Sequence, residues 1–301
     1  MPMSPLPLRF EGDPAPLRID LHMHSTASDG ALSPMDLVAL CAAQGLTHMA
    51  LTDHDTLEGV AEAAEAARRE GLVLIPGTEL STQWRGIGIH VVGLLPEGVK
   101  GALVEGLEAQ AVARVKRART IASRMEKIGL DDALARAREQ AGSERPLGRP
   151  DFARALVAAG VVPDVATAFK KYLGAGKPGD VKALWPDMAE AVGWVLSAGG
   201  VAVLAHPLRY SLTRRKRGLL LNDFSAAGGQ AAELVSGFQN PDVTRDLSRQ
   251  LQERGLYASL GSDFHFSGGH LAPGSMSPVP RTATLPVWTH PRLAPRFNSG
   301  A

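Results

Sequence analysis

The chain has 301 residues, of which 45% are hydrophobic, and its formal net charge at pH 7 is +1. This composition indicates a soluble globular protein of one large α/β domain, alone or with a small accessory domain. The near-neutral balance means that any surface for nucleic acid must be local. The single cysteine, Cys41, excludes an intrachain disulfide and favours the reducing cytoplasm. The first residues lack a signal-peptide pattern, and no apolar run reaches the roughly 18 residues of a membrane span.

The first hundred residues alternate between predicted strands and helices, after a Pro-rich segment over residues 1–16. Ser33 is predicted to cap a helix that begins at Pro34, with Asp36 near the positive end of the helix dipole. A second helix is predicted to end near Glu70. Continuous apolar strands in this rhythm favour a parallel sheet with helices outside it. Four strands are predicted, over residues 17–22, 47–52, 72–77 and 88–95.

The alternation then stops and later resumes. Residues 101–173 show helical periodicity with few strand signals, which predicts a helical insertion subdomain. Three further strands are predicted afterwards, over residues 201–207, 231–236 and 257–263. Seven strands predict an α/β fold, a distorted (β/α)₇ barrel built from the discontinuous ranges 17–100 and 174–270. The tails, residues 1–16 and 271–301, are predicted to be irregular.

Histidines and carboxylates lie at the ends of these predicted strands. Alternate residues of a strand share a face, so His22 and His24 form a two-point clamp for one ion. Asp263 and His265 repeat that spacing on the last strand, which neighbours the first in a closed barrel. Imidazole mixed with carboxylate suits Zn²⁺, Mn²⁺ or Fe²⁺, and barrel active sites lie at the carboxyl ends of strands. His90 differs, because it falls early in its strand. The candidates, too many for one ion and about right for three, are His22, His24, Asp29, His54, Glu79, His90, His206, Asp263 and His265.

Each signal has an ordinary structural explanation when it is taken alone. A single His after a strand is more often a core or surface residue, and Glu79 could be a helix cap. Asp29-Gly30 is a turn signal, and the DHD triplet over residues 53–55 could cap the helix that follows. Their joint occurrence in order at one end of the predicted strands favours a metal site.

At these motifs the sequence resembles the polymerase and histidinol phosphatase (PHP) family of metal-dependent phosphoesterases. The resemblance extends from about Leu17 to His265 and depends on HxH, TDHD, a strand-end Glu, a mid-chain His, AHP and SDxH. The phrases DLHMHSTASDG, LTDHDT, PGTELST, FKKYL and AHPLRY are similar to the bacterial TrpH-like branch. That branch includes a 5′-to-3′ exoribonuclease (ribonuclease AM) and a 3′,5′-nucleoside bisphosphate phosphatase.

The resemblance implies two to three divalent metal ions, with Mn²⁺ preferred over Fe²⁺ or Zn²⁺. Glu79 would bridge the first two ions, and Glu79, Asp263 and His206 would be the catalytic residues. Many family members have His where this chain has Asp29, whereas the TrpH-like branch has Asp. The first ion would be held by His22, His24, Glu79 and Asp263, the second by Glu79, His90 and His206, and the third by Asp29, His54 and His265.

The resemblance also implies a reaction. Both activities of the branch break the phosphorus–O3′ bond of a nucleotide that carries a 5′-phosphate, through a metal-activated hydroxide. Three carboxylates contribute about −3 against about +6 from three divalent ions, an excess that a phosphate dianion and a hydroxide would neutralise. A cationic pocket for the 5′-phosphate is implied, with Arg149, Lys171 and Arg209 as candidates. Asp151 stands where relatives often have His, so no substrate role is assigned to it.

Two alternatives remain open. One is a PHP phosphatase of a small phosphomonoester such as histidinol phosphate, against which the TrpH-like phrases and the helical insertion weigh. The other is a non-catalytic metal-binding accessory domain, which would be expected to have lost ligands. The expected partner is a nucleotide or a short 5′-phosphorylated RNA, with no membrane and no obligate protein partner.

Overall fold

A computed structural model describes residues 17–142, 144–181, 184–266 and 271–298. The predicted tail over residues 1–16 and the predicted barrel end at residue 270 lie outside the described residues. The described chain forms two compact units. The barrel unit comprises the residues before Arg85, Gly88–Gly106 and those from Pro186 onward, and the helical unit comprises Arg85–Ile87 and Leu107–Trp185.

Seven strands of the described residues form one sheet in chain order, which confirms the predicted barrel. The sheet closes through its first and last strands. The amide of Leu21 donates to the carbonyl of Leu260 (3.0 Å), and that of Asp263 donates to the carbonyl of His22 (2.8 Å). The strands are β1 (Ile19–Asp20), β2 (His48–Leu51), β3 (Val73–Trp84), β4 (Ile87–Leu94), β5 (Val201–Leu204), β6 (Ala231–Ser236) and β7 (Tyr257–Gly261).

The expectation of a parallel sheet is wrong at β4. Only two residues, Arg85 and Gly86, connect β3 to β4, and both have positive φ angles (50° and 75°), as a tight hairpin requires. Strand β4 also runs antiparallel to β5, with Val91 opposite Leu204. The early part of β4 therefore lies beside the carboxyl end of β5. His90 is in this part of β4, so it lies at the same end of the sheet as the residues that follow the parallel strands.

The described residues also form ten α-helices, and local sequence explains where they begin. The Ser33 hydroxyl accepts a hydrogen bond from the Asp36 amide (3.0 Å) and caps α1, as predicted. Cys41 is buried in the apolar layer between this helix and the sheet. The helices are α1 (Pro34–Ala43), α2 (Val60–Glu70), α3 (Ala102–Glu126), α4 (Ala133–Ala141), α5 (Arg149–Ala158), α6 (Val165–Ala168), α7 (Met188–Ser197), α8 (Arg214–Ala226), α9 (Pro241–Gln252) and α10 (Ala294–Asn298).

The helical unit has an apolar core of its own. Ile121 and Met125 of α3 pack with Phe152 and Leu156 of α5 and with Leu173, and all five are buried. Leu173 ends a short π-helix, Phe169–Leu173, that follows α6 directly. The predicted division of the sequence at residues 101 and 173 stays a prediction.

The expectation of an irregular carboxyl-terminal tail is wrong for part of residues 271–298. A 3₁₀ turn (Val287–Thr289) and helix α10 form there, and the rings of Trp288 and Phe297 lie 6.3 Å apart, both buried. The segment joins the sheet where the amide of Ala258 donates to the carbonyl of Leu285 (2.8 Å). Among the described residues, no helix is both long and apolar enough to cross a membrane.

Two helical glycines should respond oppositely to alanine. A Cβ on Gly106 of α3 would lie 2.5 Å from the Trp194 ring, whereas one on Gly193 of α7 would meet nothing within 4 Å. We expect Gly106→Ala to destabilise the protein by about 1–3 kcal/mol through overpacking. Gly193→Ala should stabilise it by up to about 1 kcal/mol, since alanine is the better helix former. Chemical denaturation of chelator-treated protein measures both, and a stable Gly106→Ala variant would contradict the close packing.

Candidate metal centre

All nine candidate residues belong to the barrel unit, and their side chains meet at one end of the sheet. His22 and His24 follow β1, His206 follows β5, and Asp263 and His265 follow β7. Glu79 lies within β3 and His90 within β4, while His54 follows β2 and Asp29 lies in the loop after β1. Six imidazole rings form a chain of contacts, with centroid separations from 4.1 Å (His24 to His265) to 6.2 Å (His54 to His265).

The tightest group consists of His22, His24, Glu79 and Asp263, all buried. The Nε2 atom of His24 lies 3.2 Å from three atoms: Nε2 of His22, an oxygen of Glu79 and an oxygen of Asp263. The Nε2 atom of His22 lies 3.2 Å from the same Glu79 oxygen and 3.5 Å from Asp263. Four ligands at the corners of a tetrahedron with bonds of about 2.0–2.2 Å lie about 3.3–3.6 Å apart. The group therefore has the dimensions of one four-coordinate site.

The two oxygens of Glu79 face different histidines. Its Oε1 lies 2.8 Å from Nδ1 of His90 and 2.9 Å from Nε2 of His206. Its Oε2 faces His22 and His24, and it lies 3.0 Å from Nδ1 of His54. Glu79 is only 1% exposed. A single buried carboxylate thus joins two neighbouring groups of donors.

The third group surrounds Asp29, whose side chain is 12% exposed. One oxygen of Asp29 lies 3.4 Å from Nε2 of His265, and the other lies 4.0 Å from Nε2 of His54. The Nδ1 atom of His24 lies 3.9 Å from Asp29. His24 therefore faces the first group with one ring nitrogen and the third with the other.

Burial and opposite charge compete strongly in this cluster. Burial raises the pKa of Glu79, but His90, His22 and His54 outweigh it and hold the pKa well below the ordinary value. Burial likewise opposes protonation of His24, yet Asp263 and Glu79 raise its pKa to about 10. The carboxylates therefore stay ionised at neutral pH and need positive charge beside them.

A divalent cation fits this donor set. One oxygen of Asp29 and one of Asp263 are buried and have no hydrogen-bond partner in the part of the chain that the structure describes. Each of these oxygens faces imidazole nitrogens, and an unpaired buried carboxylate oxygen is costly. Three carboxylates and six imidazoles are ligands that Zn²⁺, Mn²⁺ and Fe²⁺ accept. A cation would balance the carboxylates and release protons from the imidazoles.

The backbone is strained around the cluster. Asp55, His206 and Asp263 have positive φ angles of 53°, 29° and 56°, a region that residues other than glycine rarely adopt. Such conformations cost on the order of 1–3 kcal/mol each and persist where surrounding contacts fix them. At His206 and Asp263 the strained residue is itself a member of the cluster.

Asp53 is a supporting residue that the sequence analysis treated only as part of a helix cap. Its buried carboxylate accepts hydrogen bonds from the Ser25 amide (2.7 Å), the Ser25 hydroxyl (2.6 Å) and the Ser28 hydroxyl (2.6 Å). These bonds hold the loop that carries Asp29. The signal in the sequence was the Asp that precedes His54, together with the serines after His24.

Tyr210 is a second residue that the sequence analysis did not single out. Its hydroxyl oxygen accepts a hydrogen bond from the His90 amide (2.8 Å), and its ring lies 5.3 Å from that of His206. Burial raises the pKa of the hydroxyl well above its ordinary value, so the group keeps its proton.

The structure places one of the three predicted phosphate-binding cations at the cluster. Arg209 forms an ion pair with Asp263 through Nη1, and its side chain is 42% exposed. Arg149 and Lys171 belong to the helical unit, where Arg149 donates to the Leu173 carbonyl (3.2 Å) and Lys171 is exposed on the π-helix. The roles of these two residues stay predictions.

Known proteins place the chain in a family. Residues 20–144 match the PHP domain family. The chain is 42% identical to a 5′-3′ exoribonuclease of Haemophilus influenzae over 90% of its own length and 98% of that protein. The chain belongs to the PHP domain family. A second relative, a 3′,5′-nucleoside bisphosphate phosphatase of Chromobacterium violaceum, is also 42% identical, over 83% of the chain and 88% of that protein.

Two solved structures share the fold. A Chromobacterium violaceum protein described as an amidohydrolase, with bound sulfate and no metal, superposes with a TM-score of 0.85 and 40% identity. The match covers 93% of this chain and 96% of that one. A Bifidobacterium adolescentis protein, predicted to be a metal-dependent phosphoesterase, superposes with a TM-score of 0.72 and 27% identity over 96% and 98% of the two chains.

Removing the carboxylate of Asp53 should release the loop that carries Asp29. Hydrogen bonds to a charged group contribute about 1.5–3 kcal/mol, so we expect Asp53→Ala to lower the free energy of unfolding by at least about that amount. Chemical denaturation of chelator-treated protein measures the loss. Glu58→Ala, at an exposed position nearby, is the matched control and should have little effect. Equal stabilities of the two variants would show that other contacts hold the loop.

Proposed function

We propose that this PHP protein is a metal-dependent phosphoesterase that hydrolyses the 3′-phosphate ester bond of 5′-phosphorylated nucleotides. The observation that carries the proposal is Glu79, a buried carboxylate whose two oxygens face separate groups of histidines. This arrangement suits a carboxylate that bridges two cations. Adjacent cations are a recurring device in hydrolysis of phosphate esters.

The nine residues of the cluster would hold two to three ions, with Mn²⁺ preferred. His22, His24, Glu79 and Asp263 would hold the first, Glu79, His90 and His206 the second, and Asp29, His54 and His265 the third. Divalent ions supply Lewis acidity toward phosphoryl oxygens and make a bound water more acidic. His90 and His265 are about a quarter exposed, at 27% and 25%, so the substrate would approach from their side.

Residues beside the cluster would orient the substrate. Arg209 presents a half-exposed guanidinium next to Asp263, and a guanidinium binds phosphate with two parallel hydrogen bonds. Tyr210 can donate its proton to a phosphoryl oxygen while its own oxygen accepts from His90. Arg149 and Lys171 are further candidates for binding a 5′-phosphate.

The names of the two relatives support the substrate class. One is an exoribonuclease that acts in the 5′-to-3′ direction, and the other removes a phosphate from nucleoside 3′,5′-bisphosphates. A nucleoside bisphosphate presents a 3′-phosphomonoester and the end of an RNA chain a phosphodiester, but in both the bond to be broken joins phosphorus to O3′. We propose both as substrates, with the cytoplasm as the compartment.

Loss of the bridging carboxylate should remove activity and metal together. We expect Glu79→Ala to lower kcat by about 10³-fold or more, since preorganised electrostatics carry a large share of such catalysis. Elemental analysis should show at least two equivalents of Mn, Fe or Zn in the wild-type protein and fewer in the variant.

Glu97→Ala is the matched control, because Glu97 is 61% exposed and forms a surface ion pair with Lys100. Its activity and metal content should equal those of the wild type. Glu79→Ala activity within about tenfold of the wild type would show that Glu79 is not the bridge.

A 5′-phosphate on the substrate should increase kcat/KM. A charge-assisted contact contributes roughly 1.5–3 kcal/mol, so 5′-phosphorylated RNA should be cleaved about 10- to 150-fold more efficiently than 5′-hydroxyl RNA. Alanine at the residue that binds the 5′-phosphate, tested at Arg209, Arg149 and Lys171, should abolish most of this preference without changing metal content. Equal cleavage of the two RNAs would contradict the proposed substrate.

A further inference from the structure

A buried carboxylate outside the nine candidates lies directly beneath the cluster. Glu233 is the only charged residue of β6, a strand whose residues are all buried, and it is 2% exposed. It pairs across the sheet with Ser259, and the register shifts between Glu233 and Val235. Such a bulge re-aims side chains and is frequent beside active sites.

Both oxygens of Glu233 hold histidines of the cluster. Oε1 accepts a hydrogen bond from Nδ1 of His22 (2.8 Å), and Oε2 accepts one from the backbone amide of His206 (2.5 Å). With the proton on Nδ1, the Nε2 lone pair of His22 points at Glu79 and Asp263. The second bond fixes His206 in its strained conformation (φ 29°).

The sheet leaves space for this carboxylate at a glycine of the neighbouring strand. A Cβ on Gly261 of β7 would lie 2.8 Å from Oε1 of Glu233 and 2.3 Å from Cβ of His22. Any side chain at that position would displace the histidine or the carboxylate. Glycine at position 261 is therefore part of the same arrangement.

We propose that Glu233 is a positioning residue that presets two separate parts of the metal centre through one carboxylate. It orients the ring of His22, which belongs to the first donor group, and the backbone of His206, whose ring faces the other oxygen of Glu79. Groups that orient metal-binding histidines in this way typically change metal affinity by 10–100-fold when they are removed. The inference rests on the proposed metal centre and does not depend on the proposed substrate.

Metal binding to the Glu233→Gln variant tests the proposal without substrate. The amide keeps the size of the side chain but can accept only with its single oxygen, so one of the two bonds is lost. We expect the affinity for Zn²⁺, measured by competition with a chelator, to fall by about 10–100-fold. The visible spectrum of the Co²⁺-loaded protein should change as well. Glu253→Gln, at a side chain that is 62% exposed, is the matched control.

A merely structural role would give a different result. In that case Glu233→Gln would lower the stability of chelator-treated protein while the folded molecules bound Zn²⁺ as tightly as the wild type. Affinity within about threefold of the wild type would therefore overturn the proposal. If the amide variant does not fold, Glu233→Asp replaces it, because a side chain one methylene shorter cannot reach both histidines and should lose affinity too.

A double-mutant cycle identifies the route through His22. In a His22→Ala background the effect of Glu233→Gln on affinity should be smaller than in the wild type, since the two side chains are in contact. Additive losses would overturn the role assigned to the His22 contact. A wild-type protein that binds no ion would overturn the metal centre itself and this role with it. Wild-type binding with an unaffected variant would overturn only the role of Glu233.

Discussion

The architecture of this end of the barrel depends on burying carboxylates together. Glu79 and Asp263 are buried, and each has an oxygen 3.2 Å from the same nitrogen of His24. Neighbouring like charges repel strongly where water is excluded. Six imidazoles surround these carboxylates. The opposing positive charge comes either from protons on the imidazoles or from cations that the imidazoles bind. Because protons and divalent ions satisfy the same atoms, metal binding and histidine protonation are coupled.

Closure of the barrel brings together cluster residues that are far apart in the sequence. The first and last strands are joined by backbone hydrogen bonds at Leu21 and Asp263, which bring the His22–His24 pair beside the Asp263–His265 pair. The reversal of β4 adds His90 from a strand that runs the other way. A single strand that departs from the parallel pattern thus completes the cluster.

Much of the fold and cluster could be predicted from sequence, because strand ends carry short polar motifs after apolar runs. Seven strands and the cap at Ser33 were correct. The hairpin at Arg85-Gly86 was missed, since its turn lacks the usual Asn-Gly or Asp-Gly signal. Glu233 was missed because one acidic residue in AAELVS is a weak signal, and its two partners are distant in sequence. Contacts of that kind become visible only when the barrel closes.

Asp151, which stands in the GRPDF phrase where relatives often have His, has a structural role in this chain. Its buried carboxylate is bound by the Arg145 guanidinium through both oxygens, by Arg154 (2.6 Å) and by the Gly148 amide (2.7 Å). Two arginines and the amino terminus of α5 neutralise this carboxylate, which in turn stabilises the first turn of that helix. A carboxylate saturated in this way has little capacity left for a substrate. Within the GRPDF phrase, Arg149 carries the positive charge, and its role in binding an anion stays a prediction.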